Sequence, residues 1–304
     1  MLVCVSGVAQ ERGRLRPVEP TAAILEAFQT HQVVALSEGG HGNEQSHAFR
    51  LALIRDPRFA ATVDDIVVEF GNSLYQDTMD RYVQGADIPD DELRQIWENT
   101  TQKGAVWDRP IYEEFFRAVR GVNASLPRER RLRVLLGDPP VEWNDGQRSR
   151  LAMNRGAFAA DLIRREVLEP GRRALVTYGG GHLWRAGPSH ENLTGLLERH
   201  GPIFNVVTQG ASGVNLESLQ PGVIDWSVPS LAKIDGTLLD ASSLAYWDAV
   251  LYLGPPSDLT YSRLPPALCA DRRYTAMRLR RLVSSPYALR DFKQYCASVG
   301  VPIP

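Results

Sequence analysis

The sequence predicts an α/β protein with a mainly parallel central sheet and helices on both faces. Three observations predict it. Short β-branched or aliphatic runs recur along the chain, each stops abruptly at glycine with polar residues, and each leads into a stretch of helical spacing. That alternation is the pattern of βαβ units. The runs are also apolar on both sides, as expected of strands covered on two faces.

The first run, Val33-Val34-Ala35-Leu36, breaks at Ser37-Glu38-Gly39-Gly40-His41-Gly42, and Phe49, Leu51, Leu53 and Ile54 mark the helix that follows. The second, Ile66 to Phe70, stops at Gly71-Asn72, and Leu74, Met79 and Tyr82 predict another helix. A longer, mostly helical insertion is expected over about 72–125, where Trp97, Trp107, Phe115 and Phe116 could face a core or roof a cleft. The third run, Leu132 to Leu136, breaks at Gly137-Asp138-Pro139-Pro140. Asp145 to Glu169 reads as one long helix closed by Pro170-Gly171. The fourth run, Ala174 to Tyr178, breaks at three glycines and His182. Further strands are expected at Ile203–Val207, Val223–Trp226 and Ala249–Leu253, before a proline-punctuated helical tail. With no polar linker interrupting these runs, residues 1–304 are expected to form one domain.

Composition narrows the function. Thirty-four basic and thirty-six acidic side chains give a net charge of −2, which provides no field for gathering phosphates, so neither nucleic acid nor an anionic membrane surface is expected as a partner. No run approaches the ~18 apolar residues of a membrane helix, and the opening MLVCVSGVA is short for a leader and lacks a preceding basic residue. Cys4, Cys269 and Cys296 are odd in number and far apart, which reads as neither a disulfide framework nor a thiolate metal site. A reducing compartment, the cytoplasm, is the expectation.

In a parallel sheet, ligands bind beyond the carboxyl ends of the strands. All four runs place an ionisable residue there: Glu38 with His41, then Glu69, Asp138 and His182. Glu69 interrupts an apolar strand and needs a buried partner. Asp138, in a good turn, reads equally as a cap. Flanking glycines allow a ligand close to His41. Arg50 and Glu44, on the first helix, could reach the site, whereas His47 falls off the same face and reads as structural. Asn72, Asp138, Glu44 and Trp107 are candidate substrate contacts. No GxSxG, GxxxxGK[ST] or HExxH occurs, which leaves serine hydrolase, P-loop and zincin chemistry without support.

LSEGGHGNEQSHAFRLALI resembles the erythromycin esterase motif, in which a strand ends in Glu-Gly-x-His-Gly and an Arg follows one to two turns later; those positions are Glu38, His41 and Arg50. DIVVEFGNS around Glu69 is similar to that superfamily's second strand. RSRLAMNRGAFAADLI followed by RALVTYGGGHLWR is similar to its long helix and next His-bearing strand. Gly179 stands where the family has the first of two later histidines, leaving His182 alone, and the chain is shorter. The resemblance, which extends to ChaN-like haem-binding proteins and Tiki-type metalloproteases, implies a hydrolase of an ester or amide in a small-molecule substrate, acting through His41, Glu38, Glu69, His182 and Arg50. A divalent ion on His41, His182, Glu38 and Glu69 is the metal-assisted version. Haem or small-molecule binding without turnover is the alternative.

Overall fold

The computed structural model describes residues 13–143, 154–185, 192–210, 214–237 and 246–303. Seven strands form one sheet: β1 (Val33–Ser37), β2 (Asp65–Asn72), β3 (Arg133–Asp138), β4 (Ala174–Tyr178), β5 (Ile203–Thr208), β6 (Ser230–Lys233) and β7 (Ala249–Tyr252). Their spatial order is β3-β2-β4-β1-β5-β7-β6. Every pairing is parallel except that of β6 with β7. The fold is therefore α/β, with a mainly parallel sheet between helices.

Side chains alternate between two cores, as the period-two geometry of a strand requires. Val34, Leu36, Ile66, Val68, Val134 and Leu136 face one side, where Phe49 and Leu53 of the helix Glu44–Arg55 and Phe115 and Phe116 of the helix Pro110–Ala124 cover them. Val33, Ala35, Val67, Leu135 and Val176 face the other, under Ala159 and Ile163 of the helix Arg155–Ile163 and Leu193 and Leu197 of the helix Leu193–Leu197. With both faces covered, β1, β2, β4 and β5 are buried at every position, which is why their sequences run apolar without alternation.

Between β2 and β3 the chain is helical over Gln76–Val83, Asp90–Leu93, Gln95–Glu98 and Pro110–Ala124. Three elements differ from the sequence reading. Val223–Trp226 is not a strand: Gly222 takes φ +84°, and a 3-10 turn follows over Val223–Asp225. The edge strand β6 goes unforeseen because it is four residues long and follows Val228-Pro229. The helix expected from Asp145 starts at Arg155, because Asn154 takes non-helical backbone angles and its side chain accepts from the Ala157 N–H at 3.0 Å. Residues 145–153 of that expected helix lie outside the described residues.

A third core gathers Leu264, Cys269, Tyr274, Leu282, Phe292 and Cys296 from the C-terminal helices Pro266–Ala270, Arg272–Leu282 and Pro286–Ser298. The turn between the last two returns Cys296 to Cys269, and the pair forms a disulfide across 27 residues. Separation along the chain had argued against such a link. The helical hairpin removes that argument and, with it, the cysteine-based case for a reducing compartment. No helix among the described residues is long and apolar enough to cross a membrane.

Candidate functional site

Strand order sets the site. Because β3, β2, β4 and β1 lie side by side, their carboxyl ends line up Asp138, Glu69, Gly179 with His182, and Glu38 with His41. Residues 100 or more apart in sequence thus become neighbours across one edge.

The loop after β1 is a tight turn. Gly39 and Gly42 adopt φ +77° and +86°, which L side chains rarely do, and the turn aims His41 back over the strand end. Asn43 closes it by capping the next helix, its Oδ1 accepting from the Ser46 N–H at 2.6 Å. The Gly42 N–H donates to the Tyr112 hydroxyl at 3.0 Å. His41 Nδ1 lies 2.8 Å from Glu38 Oε2, and the other carboxylate oxygen accepts from Arg50 at 3.0 Å. Glu38 and Arg50 are almost wholly buried, whereas the His41 side chain is 35% exposed. Trp107 stands edge-on to the imidazole, centroids 4.6 Å apart. Burial lowers the His41 pKa, but the hydrogen bond to Glu38 and the charges of Glu38 and Glu69 outweigh it, and the net shift is upward from 6.5.

Glu69 owes its position to an irregularity. β2 pairs Val68 with Leu136 and then Asn72 with Asp138, so three residues of β2 sit opposite one of β3. Such a bulge re-aims side chains. Two glycines make room for it: a Cβ on Gly71 would collide with Leu136, and one on Gly137 with the Tyr178 hydroxyl. Glu69 then accepts from the Gly179 N–H at 2.6 Å and from Arg155 at 2.7 Å, and lies 3.3 Å from His182 Nε2. Burial pushes this carboxyl up, but His182 and Arg155 more than offset that and hold it at about 2. Asp138 accepts from the Thr101 N–H and hydroxyl, both at 2.6 Å, and from Arg155 at 3.0 Å. Its burial raises it to about 6 against those bonds.

The structure thus brings together Glu38, His41, Glu69, His182, Arg50, Trp107 and Asp138. Of these, Arg50 lies behind Glu38 at 2% exposure, so it holds that carboxylate and does not face a substrate. The other candidates go elsewhere. Asn72 spends its amide on the Asn99 and Val141 carbonyls, Glu44 accepts from the Thr260 hydroxyl, and His47 pairs with Glu114. Arg155 and Arg109 were not anticipated. Arg155 bridges Glu69 and Asp138, and Arg109 donates to the His41 carbonyl. Both lie at helix starts, Arg109 68 residues from His41 and Arg155 86 from Glu69 though 17 from Asp138, and the one local signal was the Asn-Arg pair opening the helix after β3.

Glu38, His41 and Glu69 each offer one donor atom, all within 4.8 Å of one another, which is a possible metal-holding group; His182 is not part of it. Charge argues otherwise. Arg50 pairs with one of these carboxylates and Arg155 with the other, so the group carries little excess negative charge for a dication.

No protein-family model matches the chain, and no curated protein matches it significantly. Among solved structures it is similar to ChaN of Campylobacter jejuni with cofacially bound heme, at 13% identity over 77% of this chain and 91% of that one, TM-score 0.44. It is also similar to the type III effector HopBA1, at 13% identity over 80% and 97%, TM-score 0.41. A Bacillus cereus protein aligns at 10% identity over 87% of this chain and 100% of its own, TM-score 0.50. That last likeness is one of fold. The erythromycin esterase resemblance rests on the motifs alone.

Proposed function

We propose that this protein is a hydrolase that cleaves an ester or amide by direct attack of water activated at His41. One observation carries the reading: His41 Nδ1 is tied to Glu38, and Glu38 is clamped by Arg50. A carboxylate on Nδ1 fixes the tautomer that leaves Nε2 as proton acceptor and stabilises the imidazolium that forms. The Nε2 edge faces Gly179 and Glu69: a Cβ placed on Gly179 would lie 3.4 Å from Nε2 and 3.0 Å from Cε1. Glu69, ionised at any working pH, stabilises the positive charge that His41 gains. His182 and Arg155, which contact Glu69 and keep 30% and 17% of their side chains exposed, are the groups available to an oxyanion. Such stabilisation contributes on the order of 3 kcal/mol.

If a divalent ion binds, Glu38, His41 and Glu69 would hold it and it would acidify water. The two arginine pairs favour the metal-free version. Hydrolysis of a panel of aryl esters and amides by the wild-type protein, with and without chelator, tests the reading. Turnover that survives chelation and disappears in His41→Ala is the expected result. Turnover independent of His41 rejects it. A binding role without turnover is the second reading, favoured by two part-exposed imidazoles, His41 and His182, flanking Glu69. Addition of haem, followed by absorbance, distinguishes it: a sharp Soret shift lost on substitution of both histidines would establish ligation.

A further inference from the structure

The segment Leu259–Leu264 is stitched to the His41 turn. The Glu44 N–H donates to the Thr260 carbonyl at 3.0 Å, the Ser262 N–H donates to the Gly42 carbonyl at 2.8 Å, and Asn43 and Tyr261 form a β-bridge. Beyond this strap opens a cleft of about 1340 Å³ between residues 104–110 and the C-terminal helices. Its lining reaches the His41 turn at two side chains. Arg109 bonds the His41 carbonyl, and Tyr261 lies so close that a Cβ on Gly40 would meet its ring. Its walls are largely apolar, with Leu259, Leu264, Leu282 and Phe292. Its charges are unbalanced. Asp291 is already paired with Arg290, whereas Arg263 is exposed and has no ion-pair partner among the described residues.

We propose that this cleft binds the extended part of the substrate, an aliphatic or aromatic body carrying a carboxylate, with Arg263 holding the carboxylate. The proposal rests on the hydrolase reading for the chemistry at His41, but not for the binding itself. A largely apolar cleft whose lining includes an exposed guanidinium with no ion-pair partner among the described residues selects an amphipathic anion: the body removes apolar surface from water, and the planar fork receives the carboxylate through two N–H donors. A cation of the same length gains the first interaction and is repelled by the second.

Calorimetric titration of the full chain with decanoate and with decylamine tests this. Decanoate should bind saturably, and decylamine at least about tenfold more weakly. Arg263→Glu should weaken decanoate about tenfold or more and favour decylamine. Ala288→Trp, which fills the cleft from an exposed position on its wall, should abolish both. His41→Ala should leave decanoate binding unchanged. Equal binding of the two probes, no binding of either, or binding indifferent to both cleft substitutions overturns the proposal. Decanoate bound in the cleft by a protein that hydrolyses nothing would sustain the cleft and reject the hydrolase. Ester hydrolysis dependent on His41 without decanoate binding would do the reverse.

Discussion

His41 is held by opposing influences, and its neighbours set both its charge and its use. Its net upward shift means that the imidazolium paired with Glu38 stabilises the fold fully below about pH 6.5, the unfolded value, and that this contribution is lost as pH rises through the higher folded value. Activity should rise over the window in which that stabilisation fades, since a general base must be deprotonated. His41→Ala should therefore lower kcat/KM by on the order of 10²–10⁴-fold, with the thermal unfolding curve nearly unchanged at a pH on the activity plateau. A second residue test concerns Gly179. Its φ of −59° is ordinary, so space and not backbone conformation calls for glycine there. In Gly179→Ala the new methyl presses on His41 and Glu69, and kcat should fall on the order of 10- to 10²-fold while circular dichroism stays native. That Glu38, His41, Glu69 and His182 would meet was legible in the sequence, because each follows a strand-like run at its carboxyl end. Arg50, the partner of Glu38, was legible too, but Arg155 and Arg109 were not, because nothing in a helix's own sequence tells which strand end its first turn will face.

At the scale of elements, the helix Arg272–Leu282 controls the segment that lies over the site. Arg278, buried to 1%, pairs at 2.5 Å with the buried Asp108, which also accepts from the Tyr274 hydroxyl. Arg281 donates to the Glu98 carbonyl and to Asn99. Asp108 lies between Trp107, which packs on His41, and Arg109, which holds the His41 carbonyl. Through Asp108, Arg278 thus braces the segment that carries both neighbours of the imidazole. Arg278→Met would leave the Asp108 carboxylate buried without its partner, at a cost of about 3–5 kcal/mol. Chemical denaturation should read that loss, Trp107 fluorescence should shift, and the further change Asp108→Leu should restore most of the stability without restoring activity. An unchanged denaturation midpoint in Arg278→Met would refute the role given to this pair. The tail from Arg272 to Arg281 carries five arginines, a pattern that by itself suits a solvated helix face. Two of its arginines turn inward because their partners come from the 98–108 segment, more than 160 residues earlier, which local pattern does not register.

The whole molecule divides its tasks between a sheet that gathers charges at one edge and a C-terminal helical hairpin that walls the adjacent cleft. The four strands contributing to the site were all legible from apolar runs ended by glycine, and so was their parallel direction in one sheet; their order across it, β3-β2-β4-β1, was not. The bulge in β2 was not, since it depends on Gly71 and Gly137 meeting Leu136 and Tyr178 across strands. The disulfide was missed for the same reason, as its two cysteines meet only once the hairpin forms. Closing a 27-residue loop should stabilise the folded chain by about 2–4 kcal/mol. Reduction should therefore lower the unfolding midpoint and make the C-terminal helices the first to yield to protease, with the sheet core still protected.

The dependence of kcat/KM on pH, measured for wild-type protein on a reactive ester with a chelator present, tests the central claim most directly. Water activation at His41 predicts a rate that climbs to a plateau as one group deprotonates, with an apparent pKa above 6.5 and no requirement for added metal. A profile that is flat from about pH 5 to 9, or a rate that appears only when a divalent ion is restored, would contradict it.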